Sequence, residues 1–416
     1  MYPIDARCAP EFLVRWLVSP AFTARVALDQ NRTVLPKVNL ATLRELPVPI
    51  PPPADQRRIV AKLEALQARS RRARVALDAV SPLLEKLRQS ILAAAFRGDL
   101  TKDWRAKHKD VEHAVELLAR IRTERRKKWE ESELAKMKAK GKLPTDDKWK
   151  AKYTEPDSVK ATEVPELPQG WCWASLEEVG LIESGQTTDG LAAHASSESR
   201  DVPWFRVGDM NQKDNELLMR VSEVWLSNED IRRFGLHVRP EGTIVFPKRG
   251  GAIATNKKRR LAQPSAYDLN TMGIVPIDSL ADYVWAWFQT IDLGRLNTGT
   301  SVPQINHGDI APLRIPVPPP GEAKLLATRV IQQLAAVRRS AAGLALTGAR
   351  LDELDRATLA KAFRGELVQQ DPDDEPAEAM LARGRGANGY VTNEKRSVEG
   401  TRKRRQGIKR GAIEEV

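Results

Sequence analysis

A chain of 416 residues, 41% hydrophobic and 29% charged, is long enough for two or three packed units and carries more charge than one compact core needs. Its formal net charge of +12 and pI near 9.6 make a polyanion the first partner to test, although a solvated basic face gives the same composition. The two cysteines, Cys8 and Cys172, lie far apart with no CxxC and no histidine at ligand spacing. This argues against zinc and against a disulfide framework, and it suits a reducing cytoplasm. No signal peptide opens the chain, and the apolar run from Phe12 to Val18 contains Arg15 and is too short to span a bilayer, so a soluble cytoplasmic protein is expected.

Taken from the amino terminus, the elements repeat. FLVRWLVS at Phe12 to Ser19 is matched by YVWAWFQT at Tyr283 to Thr290, and Thr33 to Asn39 (TVLPKVN) by Thr300 to Asn306 (TSVPQIN). The stretch from Pro49 to Leu100 then aligns without a gap with Pro316 to Leu367, at an offset of 267 residues. Pro51-Pro52-Pro53 meets Pro318-Pro319-Pro320, Arg71-Arg72 meets Arg338-Arg339, and Ala95-Phe96-Arg97-Gly98 meets Ala362-Phe363-Arg364-Gly365. Such a repeat organises the whole fold.

Each copy predicts a long helix, over 55–97 and 322–364. In the first, Ile59, Leu63, Leu66, Ser70, Ala73, Leu77, Val80, Leu84, Leu87 and Ile91 alternate steps of four and three, the seam of a coiled coil. The second keeps the register with Leu326, Val330, Val337, Leu344, Leu351 and Leu354, but places Gln333, Ser340 and Thr347 on the seam. The triple prolines mark the starts and Gly98 and Gly365 the stops. At 1.5 Å per residue, some 43 helical residues would span roughly 65 Å. Pro82 should kink the first helix or break it near Ser81. Matching seams within one chain favour an antiparallel intramolecular pair.

The segment from Thr101 to Lys160 is strongly charged, with few large apolar residues after Ile121, and reads as a solvated helix followed by a linker. From Leu167 to Leu313 short β-branched and aromatic runs are broken by Gly, Pro and Asn, which predicts a mixed unit of short strands with a strand at Thr243 to Phe246 and a helix at Ala281 to Thr290. After that strand comes a loop-like segment holding Lys248, Arg249, Gly250, Gly251, Asn256, Lys257, Lys258, Arg259 and Arg260. Glycines let a backbone approach a phosphate and cations neutralise it, so these residues are the candidate DNA contacts, against the plain alternative of a basic surface loop. The tail from Gly384, with RKRR at Arg402 to Arg405, has the composition of a disordered segment.

Catalytic signatures are absent. There is no GxxxxGK[ST] phosphate loop, no GxGxxG between strand and helix, no (D/N)PP(Y/F) tetrapeptide and no PD…ExK nuclease pattern. The expectation is a binding protein with no catalytic residue, no metal and no cofactor.

The segments PVPIPPPADQRRIVAKLEAL, AFRGDLTKDWR, LPQGWCW, GTSVPQIN, RIPVPPPGEA and AFRGELVQQDPDDEPA resemble the specificity subunits of type I restriction–modification systems. That resemblance implies an α+β chain in which β-rich target-recognition domains are joined by two long antiparallel helices in a pseudo-two-fold repeat. It implies double-stranded DNA as the ligand, one half of a split site being read by each domain, and two methyltransferase subunits docked on the helices. Separate ATP-dependent restriction subunits would join through the complex, and no membrane is involved. On this basis the expected organisation is 1–54 as the end of a first recognition domain, 55–100 as the first helix and 101–165 as charged helix and linker. A second recognition domain would follow over 166–320, the second helix and its end over 321–383, and a basic tail over 384–416. The sequence departs from the family in having about 54 residues before the first helix, against about 150 before the second. This suggests a first domain lacking most of its body, through an upstream start, a rearranged gene or a half-subunit that pairs with another copy. A coiled-coil assembly protein with an incidental basic surface is the alternative the residues leave open.

Overall fold

The computed structural model describes residues 8–28, 43–44, 46–139, 141, 144, 146–159, 164–187, 190–191, 201–296 and 302–387. Its helices are α1 (Pro10–Leu17), α2 (Pro20–Leu28), α3 (Pro53–Phe96), α4 (Lys102–Lys107), α5 (Ala114–Ala139), α6 (Leu176–Val179), α7 (Asn228–Arg233), α8 (Ala281–Phe288), α9 (His307–Ile310), α10 (Pro320–Phe363) and α11 (Ala377–Ala387). The strands are β1 (Cys172–Ser175), β2 (Gly180–Ser184), β3 (Val202–Phe205), β4 (Leu218–Met219), β5 (Val224–Leu226), β6 (Ile244–Pro247), β7 (Arg259–Leu261), β8 (Ala266–Tyr267), β9 (Thr271–Pro276) and β10 (Arg314–Val317). The expected α+β class is observed. The basic motif at Arg402 to Arg405 lies outside the described residues, as does the TVLPKVN segment of the repeat.

The long helices obey the repeat to the residue. Each has 44 residues and opens on the last proline of its triplet, where the missing N–H would have no intrahelical partner in any case. Each stops before a glycine in the left-handed region, Gly98 at φ 81° and Gly365 at φ 76°, a conformation that closes helices and penalises a Cβ. Pro82 does not break α3, which runs through it. The residue is exposed, so the carbonyl that loses its intrahelical donor there can turn to water.

Two compact units divide the chain, Met1–Ser81 with Ala342–Val416 and Pro82–Ala341, and both long helices contribute to both. In the first unit the beginning of α3 meets the end of α10: Ile59 and Leu63 pack with Leu359 and Ala362. Arg74 pairs with Asp352 and, at 2.7 Å, with Asp355. Phe12 and Trp16 of α1 sit edge-on against Phe363, with ring centroids 5.3 and 5.1 Å apart. Asp55 and Asp374 share Arg58. Buried Gln56 accepts from the Ala9 amide at 2.7 Å and donates to the Pro51 carbonyl at 2.8 Å.

In the second unit the roles are exchanged. Leu92 and Ala95 at the end of α3 join Leu326, Ala327, Val330 and Leu334 at the start of α10 in the largest core. Phe96 is edge-on to Tyr283 of α8 at 5.7 Å, the counterpart of the Phe363–Phe12 contact. Glu322, the repeat partner of Asp55, is fully buried and accepts from Arg105, from the Thr101 hydroxyl at 2.6 Å and from the Trp171 indole at 2.9 Å. Thus the acid repeated at the start of each helix is neutralised, but by an arginine from a different place. Arg58 lies on the helix itself, whereas Arg105 comes from the segment after the other helix.

The β-rich part of this unit holds a five-stranded sheet of order β2-β9-β6-β7-β4, a three-stranded sheet β5-β3-β8 and the pair β1-β10. Strand β1 carries Cys172 and Trp173 of the WCW motif and runs antiparallel to the RIPV strand that leads into α10, with Cys172 opposite Val317 and Ser175 opposite Arg314. Helix α5 is not solvated throughout. Ala114, Leu117, Leu118 and Ile121 are core residues, and only the later turns follow the solvated reading.

The seam is correct in face but uneven in depth. Ile59, Leu63, Leu326 and Val330 are buried, Leu77 and Leu344 are half-buried, and Leu87 and Leu354 are exposed. A two-helix contact covers only part of each side chain, and full burial comes where a third element packs against the pair. Among the described residues no helix is long and apolar enough to cross a membrane.

Candidate nucleic-acid interface

Strand β6, Ile244–Pro247, is buried along its whole length and lies between β7 and β9. A continuous apolar run of β-branched and aromatic residues is what a strand covered on both faces requires. It delivers the chain to Lys248, whose amide donates to the Asn270 carbonyl at 2.7 Å and whose carbonyl accepts from the Ile305 amide at 2.9 Å. Arg249 bridges to Gln304, and its guanidinium donates twice to Gln304 Oε1, at 3.2 and 3.1 Å. The Gly250 amide donates to the Pro303 carbonyl at 2.8 Å. The repeat motif that contains Pro303, Gln304 and Ile305 therefore latches the basic loop from one side.

Gly250 takes φ 80°, a conformation that favours glycine, and a Cβ at either Gly250 or Gly251 would meet no atom within 4 Å. The backbone here is open. A short 3-10 turn, Gly251–Thr255, is pinned by the buried side chain of Ile253. Asn256 follows at φ 51°, the one non-glycine residue with positive φ among the described residues. The chain then returns as β7, antiparallel to β6.

The nine candidate residues fall into two groups. Lys248, Arg249 and Lys257 are partly or fully exposed and bond only to neutral side chains among the described residues: Lys248 to Ser184 at 2.9 Å, Arg249 to Gln304, and Lys257 to Asn211. Their charge is not cancelled by a carboxylate. Beside them, Gly251, Ala252, Thr255, Lys257 and Asn211 line an open cavity of about 250 Å³.

Lys258 and Asn256 bond to each other and to the segment after helix α8. Lys258 is 4% exposed, and its ammonium donates to Asn256 Oδ1 at 2.9 Å and to the Ile291 carbonyl at 2.6 Å. Burial pushes its pKa down to about 8, with Arg88 adding to the effect and Asp292 opposing it. Asn256 Oδ1 also accepts from the Leu293 amide at 3.0 Å, so the two side chains pin the 291–293 segment to the loop. Arg259 and Arg260 are only partly exposed. Arg259 donates to the carbonyls of Lys258 and Met210, at 2.9 and 3.3 Å. Arg260 pairs with Asp282 at 2.8 Å and lies over the Trp285 ring.

Sequence reasoning passed over Ser184, Asn211 and Gln304, which hold the three open cations. Gln304 could have been found, because it sits in the repeated TSVPQIN motif beside Pro303. Among the described residues no group of His, Cys, Asp and Glu is arranged to hold a metal ion.

No family model matches the chain. Over 129 residues it is 40% identical to the type I restriction enzyme EcoDI specificity subunit of Escherichia coli, a stretch covering 30% of this chain and 29% of that protein. Over 120 residues it is 34% identical to the type I restriction enzyme EcoBI specificity subunit of Escherichia coli, covering 28% of this chain and 25% of that one. The matched stretch therefore spans less than a third of either relative's length. Its fold is shared, at a TM-score of 0.59 and 22% identity, with a chain from a solved structure described as the structural basis of complex assembly and conformational transition of the type I R-M system, over 86% of this chain and 72% of that one. Over about a third of its length the chain is thus similar to specificity subunits of type I restriction enzymes.

Proposed function

We propose that the chain is a DNA-reading, non-catalytic subunit of a type I restriction–modification complex. Residues 166–320 act as a target-recognition domain that reads one half of a bipartite duplex site. The open loop cations Lys248, Arg249 and Lys257 hold phosphates in register while neighbouring polar groups reach base edges. Helices α3 and α10 present docking faces to two methyltransferase subunits, through which restriction subunits join. The observation that carries the DNA reading is the trio of cations bonded to neutral partners on an open, glycine-bearing loop. Each neutralised phosphate releases counterions, so such residues show themselves in the salt dependence of binding. Docking is supported by Leu87 and Leu354, equivalent seam leucines that stay 49% and 56% exposed. Two like partners need two like surfaces, and the repeat supplies them.

The test is binding of the full chain, with a methyltransferase partner, to duplex DNA across a salt series. Changing Lys248, Arg249 and Lys257 to Ala should reduce the slope of log K against log salt by about two to three, at roughly 0.9 for each lost phosphate contact. An unchanged slope would move the phosphate contacts elsewhere, and failure of site selection to return any sequence motif would refute the reading itself.

A further inference from the structure

The second group of cations faces a different cavity. Lys258 and Arg259 turn from the loop toward the long helices, where Arg88 of α3 and Arg338 of α10 join them in lining a space of about 250 Å³ with Glu216, Asn256 and Gln289. Four cations line this cavity, and Glu216 is the one carboxylate in its lining. Arg88 donates to the Gln289 carbonyl at 2.9 Å and to Glu85 at 3.3 Å. Arg338 has no hydrogen bond among the described residues, although it is partly buried, and the buried Arg259 Nε has no acceptor. Burial is the main cause that lowers the pKa of the Arg338 guanidinium; Glu216 opposes it, and Arg88 and Arg339 add to it. Half-buried cations held together in this way lose free energy unless an anion shares the space.

We propose that this cavity is a phosphate-binding site, distinct from the loop face, in which the guanidinium of Arg338, with Arg88 and Arg259 beside it, holds a phosphoryl oxyanion. A guanidinium presents paired N–H donors that match two oxygens of a phosphate, and the cations of the lining outnumber its carboxylate. The repeat places Arg71-Arg72 at the positions equivalent to Arg338-Arg339, and in the first unit Arg71 and Arg72 line an open cavity with Ala68 and Val75. The same arginine pair at the same turn of both helices fits a phosphate contact made by the helix pair itself. The oxyanion is either a free phosphate or a diester of the DNA backbone.

The experiment is thermal denaturation of the full chain in millimolar inorganic phosphate against chloride of equal ionic strength. Phosphate should raise the melting temperature of the parent and of an Arg232→Gln control, and the rise should be lost in Arg338→Gln and in Arg88→Gln. Equal melting of the parent in the two salts, or an undiminished rise in Arg338→Gln, overturns the site. If Arg338→Gln fails to fold, calorimetric titration of Arg338→Lys with phosphate decides, a tenfold or greater loss of affinity being expected and parental affinity refuting the fork. This arm does not depend on DNA reading. The second arm adds duplex DNA: loss of about one unit of salt slope in Arg338→Gln assigns the site to a backbone diester, whereas an unchanged slope assigns it to free phosphate.

Discussion

Replacing Glu322 by Gln should destabilise the second unit more than any other single polar change in it. The carboxylate is fully buried, faces Arg105, whose side chain is 17% exposed, and accepts from Thr101 and Trp171 as well. Glutamine keeps the shape but loses the charge and one acceptor, so either the Trp171 N–H or an Arg105 N–H is left without a partner. A hydrogen bond to a charged group contributes about 1.5–3 kcal/mol, and breaking a buried ion pair on one side costs about 3–5 kcal/mol because the surviving charge stays desolvated. The expected loss is therefore about 3–5 kcal/mol. Urea denaturation gives the size of the loss, and hydrogen exchange over residues 101–105 and 171–176 gives its location. Removing both charges, in Glu322→Gln with Arg105→Met, should cost less than the sum of the single changes by at least 1.5 kcal/mol, since no unpaired ion remains. A Glu322→Gln variant within 0.5 kcal/mol of the parent, or strictly additive single changes, would show that the network does not bear on stability.

Other outcomes follow from the same geometry. Leu63→Ala, at a fully buried site in the first unit, should cost about 2–5 kcal/mol, whereas Leu77→Ala, half-buried on the same seam, should cost less; equal losses in denaturant titration would refute the uneven seam. Lys258 has a folded pKa of about 8, below its unfolded value, so the unfolded chain binds the extra proton between about pH 8 and 10.5 and stability from this group rises with pH across that window. The difference in melting temperature between the parent and Lys258→Met should change over that range, and a pH-independent difference would contradict the burial. Cys172, its thiol pushed up to about 11 by burial and by Glu178, and the buried Cys8 should both react slowly with a disulfide reagent at pH 8 and quickly in denaturant; fast native labelling would argue against either placement.

The repeat made the long helices legible, because a gapless match fixes both ends at once and the two prolines and two glycines punctuate them. The face of each helix was legible from the four–three spacing. Depth was not, since spacing names the side that turns inward but not how many neighbours arrive at each level, which is why Leu87 and Leu63 look alike in sequence and differ in burial. The start of α5 was misread as solvated because Ala114, Leu117, Leu118 and Ile121 are followed by a long charged stretch that dominates the composition. At the basic loop, four consecutive cations gave no hint that Lys258 alone is interior. Its role depends on Asn256 and on the carbonyl of Ile291, and the latter is far along the chain.

The exchange of partners between the repeats also sets a schedule for synthesis. Phe12, Ile59 and Leu63 leave the ribosome early, but the residues that cover them, Leu359, Ala362 and Phe363, are made some 300 residues later. At about 5–20 residues per second, that apolar surface waits roughly 15–60 s for its cover. The second unit closes sooner, for its core lies between Pro82 and Ala341, although Leu92 and Ala95 still wait roughly 12–48 s for Leu326 to Leu334 at that rate. The growing chain therefore holds a completed middle while its beginning is still open, and the last long helix to emerge closes the first.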